Sequence, residues 1–358
     1  MPRIRDLGVV IGTLPPGPTN SLCDVPGVGV GHTTLIRDEP PPPQGRGTAR
    51  TGVSVICVAT DAYEHPVPFG GAVLNGAGEC TGLLTAAEWG LVETPVLLTS
   101  TMQLGRVYDA ACELMTDTNP SVGEDVVIPV VGECDDSFLS FAGRMQVTKD
   151  DVRAAWELAH DRALTTAVCE EGSVGAGTGM SCLGFKGGIG TASRVTPAGH
   201  TVGVLLLANF GDRDRLTIDG HPVGRLLHPD PYSAPPPAGS CIGVVVTDAP
   251  LDAATCSRLA RRVGLGLART GSYASHGSGE IFICAATGLR PDVRGAPLSG
   301  ASLAGGSLDE LFAAVVEASE ESVLNALSAS ATMHGHAGHA REGLPLDDVA
   351  AILASGRA

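Results

Sequence analysis

The sequence predicts a layered α/β fold, and three observations carry that expectation. Apolar, β-branched runs bounded by Gly, Pro or polar residues alternate with stretches of helical periodicity along the whole chain. Hydrophobic residues supply 43% of the composition but aromatic ones only 4%, so the core must be packed from Val, Leu, Ile and Ala. Glycine (48) and proline (25) are abundant, which calls for tight turns and close backbone approaches between ordered elements.

Strands are expected at 53–60 (VSVICVAT), 95–99, 125–131, 201–208, 241–247 and 281–286, and several should be buried on both faces. Helical periodicity appears at 104–116, 150–168, 251–268 and 308–330, with a shorter stretch at 345–354. Thr148 with Asp151, and Ser307 with Glu310, have capping-box spacing, in which each side chain accepts from the other residue's backbone N–H. Leu308, Leu311, Phe312, Val315, Val316, Val323, Leu324 and Leu327 form an apolar stripe that should face a sheet. No break in composition and no repeat of fixed period divides the 358 residues, so they read as one layered domain. Two long surface loops are expected, at 37–51 with its Pro40–Pro43 run and at 229–239.

A formal charge of −16 argues against nucleic acid and anionic membranes as partners, because the field of the chain repels both. It suits amino-bearing ligands, and it also serves simple solubility. The ten cysteines are scattered without a CxxC and read as buried free thiols. The start of the sequence lacks the pattern of a signal peptide, and no segment offers about 18 uninterrupted apolar residues, so a cytoplasmic location is expected.

The densest glycine cluster, Gly175 to Gly190, fails both phosphate templates: it contains no GxxxxGK[ST] and no GxGxxG that follows a strand and opens a helix. It can supply backbone N–H groups to a developing oxyanion, or let neighbouring backbones pass closely. His334, His336 and His339 lack the spacing of a defined zinc site, and no Ser-His-Asp triad can be assigned, so no metal or cofactor is expected. Ser278 and Glu280 lie two apart just before a strand and would point the same way, where they could orient a proton; a Ser-capped turn is the plainer reading.

Gly239-Ser240 lies between Pro235, Pro236, Pro237 and the apolar run from Ile242 to Val246. Attack of the Ser240 hydroxyl on the Gly239 carbonyl would turn an amide into an ester. Hydrolysis would then free Ser240 with both a nucleophile and an α-amine base. The same dipeptide could simply end a loop and begin a strand.

Several ordered blocks together resemble one family. They include Asp24-Val-Pro-Gly-Val-Gly-Val-Gly-His-Thr-Thr34, Leu74-Asn-Gly-Ala-Gly-Glu79, Gly175-Ala-Gly-Thr-Gly-Met180, Phe185-Lys-Gly-Gly-Ile-Gly-Thr-Ala-Ser-Arg194, Ala208-Asn-Phe-Gly211, Gly239-Ser240, Gly277-Ser-Gly-Glu280 and Asn325-Ala-Leu327. In these blocks the chain is similar to the self-processing L-aminopeptidase/D-esterase (DmpA-like) serine aminopeptidases, which include D-aminopeptidases and β-peptidyl aminopeptidases.

That resemblance implies an αββα sandwich layered like the N-terminal nucleophile hydrolases but with different strand connectivity. It implies self-cleavage between Gly239 and Ser240 into residues 1–239 and 240–358, both kept in one fold. The family nucleophile falls on Ser240, the oxyanion-stabilising amide on Asn209, and the supporting hydroxyl and carboxylate on Ser278 and Glu280. Substrates would be short peptides, amides or esters with a free amino terminus, and the cleaved pairs would assemble as homo-oligomers, commonly tetramers. Some members place a tyrosine near the oxyanion where this chain has Phe138, which cannot donate a hydrogen bond. Glu133, or Asp135, could pair with the substrate's amino group, and either could equally be a solvated loop acid. Two further readings stay open: an acyltransferase resembling ornithine acetyltransferases, disfavoured because those generally have Thr at the cut, and a non-catalytic scaffold of the same fold.

Overall fold

The computed structural model describes residues 2–165, 167–232 and 239–356. Ten-residue strands β1 (Gly29–Asp38), β2 (Thr48–Cys57) and β3 (Val67–Gly76) open the fold. The short β4 (Cys80–Thr81), α1 (Leu83–Trp89) and β5 (Leu91–Val92) follow, then β6 (Val96–Ser100), α2 (Leu104–Thr118), β7 (Val130–Cys134) and α3 (Lys149–Ala163). A small hairpin, β8 (Ser181–Cys182) with β9 (Phe185–Lys186), leads into β10 (Gly188–Val195) and β11 (Thr201–Asn209). After α4 (Val223–Leu226) come β12 (Ser240–Thr247), α5 (Ala253–Thr270), β13 (Gly279–Ala286) and α6 (Leu308–Ser328). The chain closes with the hairpin β14 (Met333–His334) and β15 (Ala340–Arg341), then α7 (Leu346–Gly356).

The strands form a five-stranded sheet in the order β1-β2-β6-β7-β4 and a six-stranded sheet in the order β10-β11-β12-β13-β3-β5. Three apolar clusters stack them. Val30, Ile56, Leu98 and Val130 of the first sheet meet Leu205, Leu207, Ile242, Val244, Ile281 and Ile283 of the second. The opposite side of the first sheet, with Val53, Val55, Leu97 and Val131, packs on Val107, Leu114, Val152 and Trp156 of α2 and α3. The opposite side of the second, with Val204, Leu206, Val245 and Phe282, packs on Leu259, Val263, Leu311, Val315 and Leu324 of α5 and α6. Alternate residues of each strand thus enter different layers, as the two-residue side-chain period requires. The result is the expected αββα sandwich, with strands buried on both faces.

The six expected strands and five expected helices all form, with shifted ends and one displaced strand. The strand foreseen at 125–131 begins only at Val130, because Pro129 has no N–H for a ladder; Val126 and Ile128 are exposed. The helix foreseen to 168 stops at Ala163. The capping box of Thr148 and Asp151 forms, whereas that of Ser307 and Glu310 does not. A short 3-10 turn at Gly305–Ser307 precedes α6, and Ser307 Oγ donates to the Ala304 carbonyl instead. Nine of the ten free cysteines are buried; Cys112 is half-buried. Of the loop expected at 229–239, residues 233–238 lie outside the described residues. Among the described residues, no helix is long and apolar enough to cross a membrane.

The N-terminal segment is fastened to the second helix layer by buried charge, which the hydrophobic pattern did not announce. Arg194, fully buried on β10, pairs with Glu321 at 2.7 Å and Glu317 at 3.1 Å of α6. Arg5 Nη2 and Asn20 Nδ2 reach the same Glu321 at 2.8 and 2.6 Å. Glu321 is consequently held below the usual carboxylate range, by its hydrogen bond from Arg5 and by the charges of Arg194 and Arg5, against its own burial.

Candidate active site

β11, β12 and β13 run side by side, and their ends bring the candidate residues together. Asn209 is the last residue of β11 and lies opposite Ser240, the first residue of β12, in an antiparallel register. β12 and β13 are parallel, which sets Ser240 beside Gly279. Ser278 and Glu280 flank that glycine, and the Ser278 hydroxyl donates to Glu280 Oε1 in a very short hydrogen bond. The expectation that these two side chains point the same way therefore holds.

Each polar group of the cluster has a defined partner. Asn209 accepts from Ser181 N–H through Oδ1 at 2.8 Å, and donates from Nδ2 to the Asp135 carbonyl at 3.0 Å and to Ser240 Oγ at 3.5 Å. The last contact is long, and it aims the amide at the hydroxyl. The Gly279 N–H donates to the Gly239 carbonyl oxygen at 3.2 Å. A side chain on Gly239 would begin 2.8 Å from Ser278 Oγ, so only glycine fits there without displacement. Ser240, Asn209, Ser278 and Glu280 are all buried. Burial raises the Glu280 pKa, opposed by the hydrogen bond from Ser278.

A cavity of about 430 Å³ opens onto this cluster. Gly239, Ser240 and Gly277 form one side; Ala77, Gly78, Thr101, Met102, Glu133, Asp135, Ser137 and Ala142 form the rest. Glu133 accepts from the Glu79 N–H at 2.8 Å and from the Thr101 hydroxyl in a very short bond. It is thus a buried, oriented carboxylate on the cavity wall rather than a solvated loop acid, and burial pushes its pKa up. Asp135 also faces the cavity, but its carboxylate is taken up by the backbone N–H and hydroxyl of Ser137. Phe138 does not line the cavity. Its ring stacks on His339 at 4.5 Å and lies under the Arg341 guanidinium at 4.3 Å.

Sequence reasoning did not single out Ser181 as the group that orients Asn209, nor Gly279 as a donor to Gly239. The glycine cluster from 175 to 190 contained the first signal, and its glycines are explained by packing. A Cβ on Gly177 would lie 2.4 Å from the Ile189 nitrogen, and one on Gly190 would lie 1.8 Å from the Ser322 carbonyl of α6. His334, His336 and His339 are spent on the β14–β15 turn. The carbonyl of His334 accepts from Arg50 Nε, and the ring of His336 packs on Phe141.

A buried serine hydroxyl with an adjacent amide, a hydroxyl–carboxylate pair and a buried acid on the cavity wall is a constellation able to support acyl transfer from an amine-bearing substrate. Comparison with known proteins points the same way. Residues 20–341 match the model of Peptidase family S58. A curated relative, the β-peptidyl aminopeptidase BapA of Sphingosinicella xenopeptidilytica, is 38% identical over 98% of this chain and 91% of its own. The solved structure of an L-aminopeptidase D-Ala-esterase/amidase from Ochrobactrum anthropi, described as a variant of the Ntn hydrolase fold, superposes with a TM-score of 0.91 at 36% identity, covering 100% of this chain and 99% of that one. A Burkholderia sp. β-aminopeptidase gives 0.89 at 38% identity, covering 99% of both chains.

Proposed function

This chain belongs to Peptidase family S58 and is a serine aminopeptidase, and from that premise we propose that Ser240 is both its nucleophile and the site at which it cuts itself. The observation that carries the proposal is the meeting of four groups at one strand end: Ser240 Oγ, Asn209 Nδ2, the Gly279 N–H and the Ser278–Glu280 pair.

In the uncut chain, Ser240 Oγ attacks the Gly239 carbonyl carbon and the C–N bond breaks, giving an ester and a free α-amine. Water then hydrolyses the ester to a Gly239 carboxylate and a free Ser240. The Gly279 N–H already rests on the oxygen that becomes negative in this step. The pieces 1–239 and 240–358 stay together because β11 and β12, on opposite sides of the cut, share a full antiparallel ladder.

In turnover, the α-amine of Ser240 acts as base; its reference pKa of ~7.7–8.0 leaves a neutral fraction near pH 7. Ser240 Oγ attacks the carbonyl of the N-terminal residue, Asn209 Nδ2 stabilises the oxyanion, and the leaving amine departs protonated. Water releases the acyl group, with Ser278 and Glu280 orienting the proton network. Glu133 holds the substrate's ammonium, which restricts the site to substrates with a free amino terminus. Oxyanion stabilisation rests on Asn209 and backbone N–H groups, since Phe138 carries no hydroxyl and does not line the cavity. Assembly of the cleaved pairs into homo-oligomers, tetramers by the family's pattern, belongs to the same reading; light scattering measures it.

The proposal is tested by assaying the protein and its Ser240→Ala variant against aminoacyl p-nitroanilides of L-, D- and β-residues. Both β-residues and D-Ala appear in the names of the relatives. Turnover by the unaltered protein that vanishes in the variant supports it; equal turnover by both refutes the assignment of Ser240.

A further inference from the structure

Lys186 is fully buried, yet among the described residues it forms no ion pair. Its Nζ instead donates to three backbone carbonyls, those of Gly177 at 3.2 Å, Met180 at 2.9 Å and Gly187 at 2.6 Å. Burial of an ammonium is expensive and lowers the Lys186 pKa to about 7, but the three carbonyls give each proton of the charged form an acceptor.

One of those acceptors leads to the site. The Met180 carbonyl and the Ser181 N–H belong to the same peptide unit. Lys186 holds that unit by its oxygen, and the Ser181 N–H donates to Asn209 Oδ1 at 2.8 Å. Asn209 in turn points Nδ2 at Ser240 Oγ. The hydrogen bonds run in one direction: cation to peptide oxygen, peptide N–H to carboxamide oxygen, carboxamide N–H to hydroxyl. In such a chain each link polarises the next, and in a buried setting the effect is not screened by water.

We propose that Lys186 is a positioning residue for the oxyanion donor. It fixes the Met180–Ser181 peptide and, through that peptide, makes the Asn209 amide a stronger and better-aimed donor. The inference rests on the reading of Asn209 given above. Two other contacts fit a held peptide: the Gly187 N–H also donates to the Met180 carbonyl at 2.9 Å, and Arg341 Nε reaches Ser181 Oγ at 3.3 Å. Lys186 touches no substrate-lining residue of the cavity through these bonds, so its effect should fall on the transition state and not on binding.

The test is a double-mutant cycle on the full chain with Lys186→Met, Asn209→Ala and the double variant, read as kcat and KM on an aminoacyl p-nitroanilide and as the rate of self-cleavage. Lys186→Met should lower kcat by about 10-fold with KM within about 2-fold, because it removes a donor that acts on the developing charge indirectly. In the Asn209→Ala background the same change should cost less than about 2-fold. An equal loss in both backgrounds, or an unchanged kcat, overturns the inference. Full activity of Asn209→Ala alone overturns the reading of Asn209 instead. Should Lys186→Met not fold, Lys186→Gln, which keeps two donors without the charge, enters the same cycle under the same criteria.

Discussion

The Gly279 backbone N–H rests on the Gly239 carbonyl oxygen at 3.2 Å, while the space that a Gly239 side chain would need is filled by the Ser278 hydroxyl. The bond proposed to break is therefore held from two sides by the segment that also carries Glu280. Self-cleavage then needs little rearrangement, since the donor for the oxyanion is in place before attack.

Gly239→Ala should retard self-cleavage by at least about 10-fold, equivalent to about 1.4 kcal/mol on the barrier. The added Cβ would lie 2.8 Å from Ser278 Oγ and 3.2 Å from Ser278 Cβ, displacing either the peptide or the hydroxyl. The time course of the intact band on denaturing gels measures it; cleavage at the unaltered rate would show that this close fit plays no part.

Asn209→Ala should lower kcat by about 10²–10³-fold with little change in KM, the usual effect of removing one oxyanion donor. Steady-state kinetics on the processed variant give the answer. A rise in KM at constant kcat would instead assign Asn209 to substrate binding.

Glu133→Gln should raise KM by about 10–100-fold for substrates with a free amino terminus, because the buried carboxylate loses its charge opposite the ammonium. In the unaltered protein, burial lifts the pKa of this carboxyl above its ordinary value. KM should accordingly begin to rise, as pH falls, at a pH above the normal carboxylate range. A variant with native KM would leave the ammonium to Asp135.

Asp136 gives a prediction for stability. Its carboxyl is buried and its pKa is pushed up from 3.8 to about 7, chiefly by desolvation, against hydrogen bonds from Thr51 and Ser100. Between about pH 4 and 7 the folded state keeps a proton that the unfolded state loses, so this group's effect on stability worsens as pH rises through that window. Asp136→Asn removes the titration. The melting temperature of the variant, relative to the unaltered protein, should climb from pH 4 to pH 7; a constant difference would contradict the assignment.

Much of this fold was legible in the sequence, and the three long strands that it missed share a physical cause. β1, β3 and β10 were not foreseen, and all three carry glycines that normally weaken a strand. The structure gives those glycines a use. A Cβ on Gly29 or Gly31 would lie 2.1 Å from a carbonyl of α3, and one on Gly70 would lie 2.3 Å from the Ser257 nitrogen of α5. Glycine lets helix backbones approach the sheets, a tertiary effect that local patterning cannot carry. At the site, motif order singles out Ser240, Asn209, Ser278 and Glu280, and the structure brings these four together at neighbouring strand ends. It does not single out Ser181 and Gly279, because they act through backbone N–H groups that leave no signature in side-chain identity. Phe138, expected beside the oxyanion as a position without a hydroxyl, instead lies outside the cavity lining with its ring engaged by His339 and Arg341.

The central claim is that Ser240 becomes a new N-terminus and the nucleophile. N-terminal sequencing with intact-mass analysis of the purified, active protein tests it most directly. Two fragments are expected, one of them beginning Ser240-Cys241-Ile242, and a single uncut chain for Ser240→Ala. Active protein that remains one intact chain, or that is cut at another position, would contradict it.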